Sequence, residues 1–472
     1  MSQEYLDFEI TTSGENPPYP VGVKSTLGSA TGSLVFPPDI GEKSARLEKI
    51  DCLGRPFYQK FGKALFKALF AGDVLEIYRA AFAQAKATGA GLRLRLSFSS
   101  TQLAALPWEM LFDPFQDLFM AIDPATLLTR FTFAPQPIRP LEVQPPLRIL
   151  VIISSPKDAR EKWGLDELDE AKERRGTHAA LGQWKREGLV ALSFTTQANM
   201  TYLRRRIREF KPHVVHYIGH GLIEKGTPSL LLKKGDGSGR FVDGETLKEL
   251  FLRQDETRLV FLNACDTAQL AAGLVRRGVP GVIAMRYPLA DEAAIALARE
   301  FYRCLAWGDP VDKALNEARR ALYLDLGPDL RDWATPILFL QAEDGALFSM
   351  PQRIEREETP LPRSAGPDIG RELDALYAQA QRFLREMAEG SYRPPVSLRA
   401  ETAYWPELAK MDIESLLERI KLLKGNLATL RKQQDLYGPA GAPLHLINSL
   451  KATEEELVRA IGELRAVLER VY

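Results

Sequence analysis

Between residues 147 and 350 the hydrophobic positions fall in short, almost uninterrupted runs: "LRILVIISS", "LVALSFTT", "HVVHYIGHG", "TRLVFLNAC", "PGVIAMRYPL" and "ATPILFLQ". The segments between them are amphipathic at helical spacing. Strands that are apolar on both faces, alternating with helices, predict a mostly parallel sheet covered on both sides, an α/β domain over 146–350. Residues 1–145 read as mixed α+β. Strand-like "LDFEI" and "GSLVF" precede a helical stretch from "GKALFKALF" to "RAAFAQAKA". The alternation in "LRLRLSF" then predicts a half-buried strand, and "ALPWEMLFDP" a short helix or turn. Prolines in "APQPIRPLEVQPP", residues 134–146, break helix and sheet and suggest a domain boundary.

A polar segment with several prolines, residues 351–368, reads as a linker, and the chain beyond it has another rhythm. Ile413, Leu416, Ile420, Leu423, Leu427 and Leu430 make one stripe at alternating spacings of three and four, and Leu457, Ile461, Leu464, Leu468 and Val471 make a second. "YGPAGAP", residues 437–443, would turn one helix back on the other. Leu373, Leu376, Tyr377, Ala380, Phe383, Leu384 and Met387 predict a third helix beside them. Residues 369–472 thus read as an all-α, coiled-coil-like hairpin or bundle. Its stripes serve as its own core, as a docking surface for a regulatory partner, or for self-association.

Composition narrows the function. A chain of 472 residues suggests about three domains at roughly 150 residues each. Lysine plus arginine equals aspartate plus glutamate at 62 each, so no global field draws the chain to nucleic acid or to an anionic membrane. No run approaches a membrane span and no leader pattern opens the chain, which points to the cytoplasm. Three cysteines without metal-ligand spacing predict neither a disulfide framework nor a zinc site, and no motif asks for a metal or another cofactor.

The candidate chemistry lies in two runs. "HVVHYIGHG" ends a strand at Gly219-His220-Gly221, and "LVFLNACDTA" ends another at Ala264-Cys265, just ahead of a helix predicted to start near Thr267. Active groups of open parallel sheets gather beyond the carboxyl ends of the strands. If the two strands are neighbours, Cys265 is placed as a nucleophile and His220 as its base, and backbone amides of Gly221 and Cys265 could receive an oxyanion. A helix amino terminus beside Cys265 would favour the thiolate. Acyl transfer uses all of these parts. The remaining candidates read as structural: Cys304 and His216 as core, His213 at the wrong end of its strand, Cys52 as incidental. The arginines of "LRRRIREFK" read as the solvated face of a helix, and "LKKGDGSGR" as a hairpin turn.

The paired motifs, followed by "GVPGVIAMRYPLADEAAIALAREFYRCLAWGDPVDKALNEARRALY" and "WATPILFLQ", resemble the CHAT family of caspase-like cysteine peptidases, close to separase. The likeness spans about residues 147–345, and "LPWEMLFDP" resembles a segment found upstream in such proteins. It implies a caspase-like fold, endopeptidase activity on protein substrates, a dyad falling on His220 and Cys265, and an oxyanion amide at Gly221. It further implies a regulated protease of prokaryotic signalling, defence or cell death; the amino-terminal domain, which has no His-Gly plus Cys pair, reads as a degenerate, non-catalytic companion. The chain departs from the pattern at Tyr287, where tryptophan is expected, while Pro288 and Asp291 fit. Because separases prefer arginine before the cut, Asp266 or Asp291 would line a pocket for a basic side chain; otherwise Asp266 caps the helix after Cys265. A catalytically silent caspase-like scaffold is the alternative function.

Overall fold

A computed structural model describes residues 4–49, 52–134, 136–224, 226–251, 256–350, 369–393, 405–437 and most positions between 453 and 471. The expected linker at 351–368, the turn at 438–443 and the Leu430 side chain lie outside the described residues. The chain forms two compact units, Met1–Ile354 and Glu355–Tyr472.

The first unit is built on one sheet of eleven strands. Its amino-terminal half supplies β1 (Tyr5–Thr12), β2 (Tyr19–Ser25), β3 (Gly28–Leu34), β4 (Gly91–Phe98) and β5 (Thr126–Phe131). The second half supplies β6 (Leu147–Ile153), β7 (Val190–Thr195) and β8 (Val214–Ile218). A side hairpin sheet follows, β9 (Gly221–Glu224), β10 (Thr227–Lys233) and β11 (Gly239–Asp243). The main sheet then resumes with β12 (Leu259–Asn263), β13 (Gly281–Met285) and β14 (Pro336–Leu340). Its order is β7-β6-β8-β12-β13-β14-β5-β4-β1-β2-β3. β14 runs antiparallel to β13, and β2 antiparallel to both β1 and β3; the other neighbours are parallel.

All six apolar runs of 147–350 are strands of this sheet, as the double-sided hydrophobicity requires. Helices cover both faces. On one side pack α4 (Glu170–Arg186) and, later in the chain, two more between β13 and β14, while α1 (Ile40–Lys49), α2 (Arg55–Leu69) and α3 (Asp73–Thr88) cover the opposite side, the face shared by Leu94, Leu128 and Phe339. On that opposite side also lie α5 (Met200–Phe210), α6 (Gly244–Phe251) and α7 (Ala268–Arg276), whose apolar residues enclose Leu150, Val215, Tyr217, Val260 and Leu262. The pair between β13 and β14 is α8 (Asp291–Ala306) and α9 (Val311–Asp325). Among the described residues no helix is long and apolar enough to cross a membrane.

Two expectations change. The proline-rich segment 134–146 joins two halves of one sheet, because Phe339 and Leu340 of β14 pair with Arg130 and Phe131 of β5 across it. Residues 1–145 and 146–350 therefore share one compact unit. The alternating strand "LRLRLSF" is buried on both faces, not half-buried, since its arginines have acidic partners inside. Arg93 Nε donates to Asp312 Oδ2 at 2.6 Å, and Arg95 lies 3.4 Å from Glu9. Burial raises the Asp312 carboxyl despite Arg93, so the pair stays together only while both charges remain matched.

A second buried ion pair lies within the amino-terminal half, on Arg130 of β5. Its guanidinium donates through Nε and Nη2 to both oxygens of Glu109, at 2.9 and 2.7 Å. Glu109 stands on the 3-10 turn Trp108–Met110 of "ALPWEMLFDP", fully buried. Burial alone would raise its carboxyl; the Arg130 charge and hydrogen bonds more than reverse this and leave it lowered. Close by, Arg319 of α9 donates to the Pro336 carbonyl at the start of β14.

The second unit contains α10 (Ile369–Ala388) and α11 (Trp405–Tyr437) and a further helical segment containing Leu457 and Val471. Leu373, Phe383, Ile413, Ile420, Ile461 and Leu464 are buried together, so the described stripe residues face a common core. Tyr392 Oη donates to the Val471 carbonyl at 2.8 Å.

Removing one partner of a buried ion pair strands the other charge. Glu109→Ala is expected to destabilise the first unit by about 3–5 kcal/mol, read as a fall in the urea midpoint of the full chain. A change below about 1 kcal/mol would mean that Arg130 finds water or another partner.

Candidate active site

β8 and β12 are adjacent and parallel, with Ile218 opposite Asn263 as the last pair in register. The Gly219 amide donates to the Asn263 carbonyl at 3.3 Å, extending the ladder by one step. His220 stands two residues beyond the end of β8 and Cys265 two beyond the end of β12, so both emerge at one sheet edge. After His220 the chain leaves the main sheet and enters β9. The His220 carbonyl accepts the Leu231 amide at 2.9 Å and the Tyr217 hydroxyl at 3.2 Å, which fixes the backbone beneath the imidazole.

Gly221 is required by close approach. A Cβ there would lie 2.6 Å from Thr267 Cγ2 and 2.7 Å from the Cys265 carbonyl oxygen, well inside contact distance. The two runs therefore touch through their backbones.

The imidazole is oriented from outside both motifs. His220 Nε2 lies 2.8 Å from the Asp166 carbonyl oxygen, in the segment ahead of α4. A carbonyl only accepts, so Nε2 carries a proton and, in the neutral ring, Nδ1 keeps its lone pair. Asp166 contributes through its backbone, which no side-chain pattern advertises.

Cys265 is half-buried, and its thiol is raised, first by burial and then by the adjacent Asp266, with its own backbone amide and Arg331 pulling the other way. The expected thiolate at a helix amino terminus is thus corrected. α7 begins three residues later at Ala268, and Asp266 between them has φ 54°, a left-handed turn. The dipole's influence fades within the first turn. Nor does Asp266 cap α7: Thr267 occupies the cap position, its hydroxyl donating to the Ala264 carbonyl at 2.9 Å. Among the described residues Cys265 Sγ makes no hydrogen bond to another residue.

Asp266 and Asp291 fall in separate depressions. Asp266 borders an open cleft of about 720 Å³ together with Glu48, Ile223, Arg276 and Arg286. Burial raises both the Asp266 and the Glu48 carboxyls, and Arg286 opposes the shift in each. Asp291, at the start of α8, borders a cavity of about 40 Å³ with Asn263, Ile218, His216, Glu173 and Lys172. Asp291 Oδ2 holds Lys172 Nζ at 2.5 Å, both side chains more than half exposed. Burial raises the Glu173 carboxyl next to them, and Asp291 adds to the rise. Asn263, Glu173 and Glu48 were not among the sequence candidates; the polar Asn263 ending an apolar strand was the one readable sign.

The other singled-out residues lie away from the sheet edge. His216 is buried, its ring lowered to about 3 by desolvation, with Nδ1 3.2 Å from the Tyr302 hydroxyl. The His213 Nδ1 accepts the Arg148 amide at the opposite end of β8. Cys304 is buried in the core and Cys52 is exposed. Tyr287 is buried, its ring 4.3 Å from the Arg331 guanidinium.

Comparison with known proteins gives a family match and a remote structural likeness. The family model for the CHAT domain matches residues 59–341. No curated protein matches the chain. Among solved structures, the crystal structure of the Arg specific cysteine proteinase gingipain R is 12% identical; the alignment covers 62% of this chain and 68% of that one, with a TM-score of 0.38.

Asp266 is the largest charge acting against a thiolate at Cys265. Asp266→Asn is expected to move the pH midpoint of Cys265 alkylation by iodoacetamide downward, mapped by mass spectrometry against Cys52 in the same sample. An unchanged or higher midpoint would assign the raised thiol to burial alone.

Proposed function

This chain belongs to the CHAT-domain family, and from that premise we propose that it is a cysteine endopeptidase working through Cys265 and His220. The observation that carries the reading is the His220–Asp166 hydrogen bond, which leaves Nδ1 unprotonated at the sheet edge where Cys265 emerges. Nδ1 takes the Sγ proton as sulfur attacks the scissile carbonyl carbon. The oxyanion accepts from the backbone amides of Gly221 and Cys265, both held by the contact that excludes a Cβ at Gly221. His220 then gives its proton to the leaving amine, and water, deprotonated by Nδ1, hydrolyses the thioester. Throughout, the Asp166 carbonyl holds the Nε2 proton and stabilises the imidazolium.

The raised thiol and the missing Cys265–His220 hydrogen bond describe a resting site. They support regulation, with a partner or the helical tail drawing the two groups together, in keeping with the signalling or defence role that the family suggests. Asp291 and Glu173 form the pocket for the side chain before the cut, with Asn263 at its inner end. Lys172 on Asp291 supports a basic side chain there, because it is itself an ammonium docked at the rim. Asp266 borders the wider cleft for the remainder of the peptide.

Hydrolysis of a fluorogenic peptide library tests the assignment. Cys265→Ala is expected to abolish turnover, and His220→Ala to lower kcat by about 10²–10⁴ with little change in KM. Turnover that survives in Cys265→Ala would exclude the mechanism. Asp291→Asn is expected to raise KM for peptides with arginine or lysine before the cut while sparing neutral ones; equal effects on both would remove Asp291 from substrate selection.

A further inference from the structure

The two edges of the main sheet differ. At one end, β7 has no exposed residue. At the other, β3 pairs only with β2 among the described residues, and Gly28, Ser29, Thr31 and Ser33 are exposed. Proteins guard such an edge with charges, proline or a bulge. β3, "GSATGSL", has neither charge nor proline. Exposed apolar residues flank it instead: Leu27 is 44% exposed and Val35 60%. They stand at equal distances from Thr31, the centre of the strand.

Charge is arranged about the same centre. The corner between α2 and α3 crosses the strand at Gly32, where a Cβ would lie 2.9 Å from Val74 Cγ2. On the Val35 side of this corner an open groove of about 600 Å³ is lined by Lys60, Lys63 and Lys67 from one face of α2, above Pro37 and Pro56. Lys43, also in the groove, is held by Asp39 at 2.5 Å. On the Ser29 side, a depression of about 450 Å³ is lined by Asp73, Glu76 and Ile77 of α3. The edge is neutral along its length, basic beside one end and acidic beside the other.

We propose that β3 is a self-association edge, pairing antiparallel with β3 of a second copy about a two-fold axis near Thr31. Antiparallel neighbours related by a two-fold have that axis normal to the sheet, so α2 and α3 of both copies lie on the same face. The lysine groove of each copy then meets the Asp73–Glu76 depression of the other, and Leu27 meets Val35. Every contact is made twice, as an isologous interface requires. The free backbone groups of β3 complete a ladder that runs on through both sheets, and both candidate active sites, at the far side of β5 and β14 from β3, stay open.

The full-length chain tests this by sedimentation velocity. Wild type is expected at twice 52.8 kDa, with a dimer that weakens as salt is added. Lys60→Glu with Lys67→Glu, and separately Asp73→Lys with Glu76→Lys, are each expected to weaken self-association by about tenfold or more. Mixing the two variants restores a dimer of wild-type affinity, because each new glutamate then faces a new lysine; circular dichroism confirms that each variant is folded. Three results overturn the proposal: a wild type monomeric at about 50 µM, well above the range of stable dimers; variants that dimerise like wild type, as association through the helical tail would give; or a mixture no tighter than either variant alone.

Discussion

The site depends on the register of two adjacent parallel strands. With Ile218 opposite Asn263, the chain leaves β8 and β12 at the same height, and the residues two steps further on are His220 and Cys265. A slip of one residue would turn every side chain of one strand to the other face and move His220 out of level with Cys265. The register is held by burial on both sides: Val215, Tyr217, Val260 and Leu262 belong to one core, and Val214, Ile218 and Phe261 to the other. Beyond the sheet, the absence of a side chain at Gly221 lets the two loops touch, and the Tyr217 hydroxyl with the Leu231 amide fixes the carbonyl under the imidazole.

The same sheet makes the amino-terminal half part of the site's foundation. β14 is the hinge of this arrangement, antiparallel to β13 and parallel to β5. Around it, Arg93 of β4 pairs with Asp312 of α9, and Asn316 of α9 donates to the Ala121 and Thr126 carbonyls, placing matched charges and donors across the two halves where water does not reach. Such groups add little net stability over an apolar core, but a mispaired arrangement would leave charges buried without partners, so they favour one assembly of the halves. One consequence reaches the chemistry: Glu48 of α1 borders the cleft that also contains Asp266. The half that lacks a histidine–cysteine run of its own thus lines a cleft beside Asp266.

Much of the second half was legible because its strands are apolar on both faces, a pattern with few structural solutions. The neighbouring runs around His220 and Cys265 were legible for the same reason. What escaped is non-local. Nothing in "APQPIRPLEVQPP" reveals that the strands on either side of it share a sheet, since that depends on β14 pairing with β5 some 200 residues earlier. Arg93 and Arg95 looked like a solvent face because their partners, Asp312 and Glu9, lie far off in sequence or on a neighbouring strand. The thiolate expectation did not foresee the burial of Cys265, nor the left-handed Asp266 between it and α7, whose carboxylate opposes ionisation. The Asp166 carbonyl was invisible, since every residue has one.

The central claim is that His220 and Cys265 form one catalytic site. A library of peptidyl acyloxymethyl ketones, whose transfer to sulfur needs both peptide recognition and proton management, tests it most directly, with adducts mapped by mass spectrometry on wild type and His220→Ala. The account predicts an adduct on Cys265 with a subset of peptides, lost or slowed many-fold without the imidazole, while Cys52 stays unmodified. Modification of Cys265 at equal rates in both proteins, or no preference for Cys265 over the exposed Cys52, would contradict it.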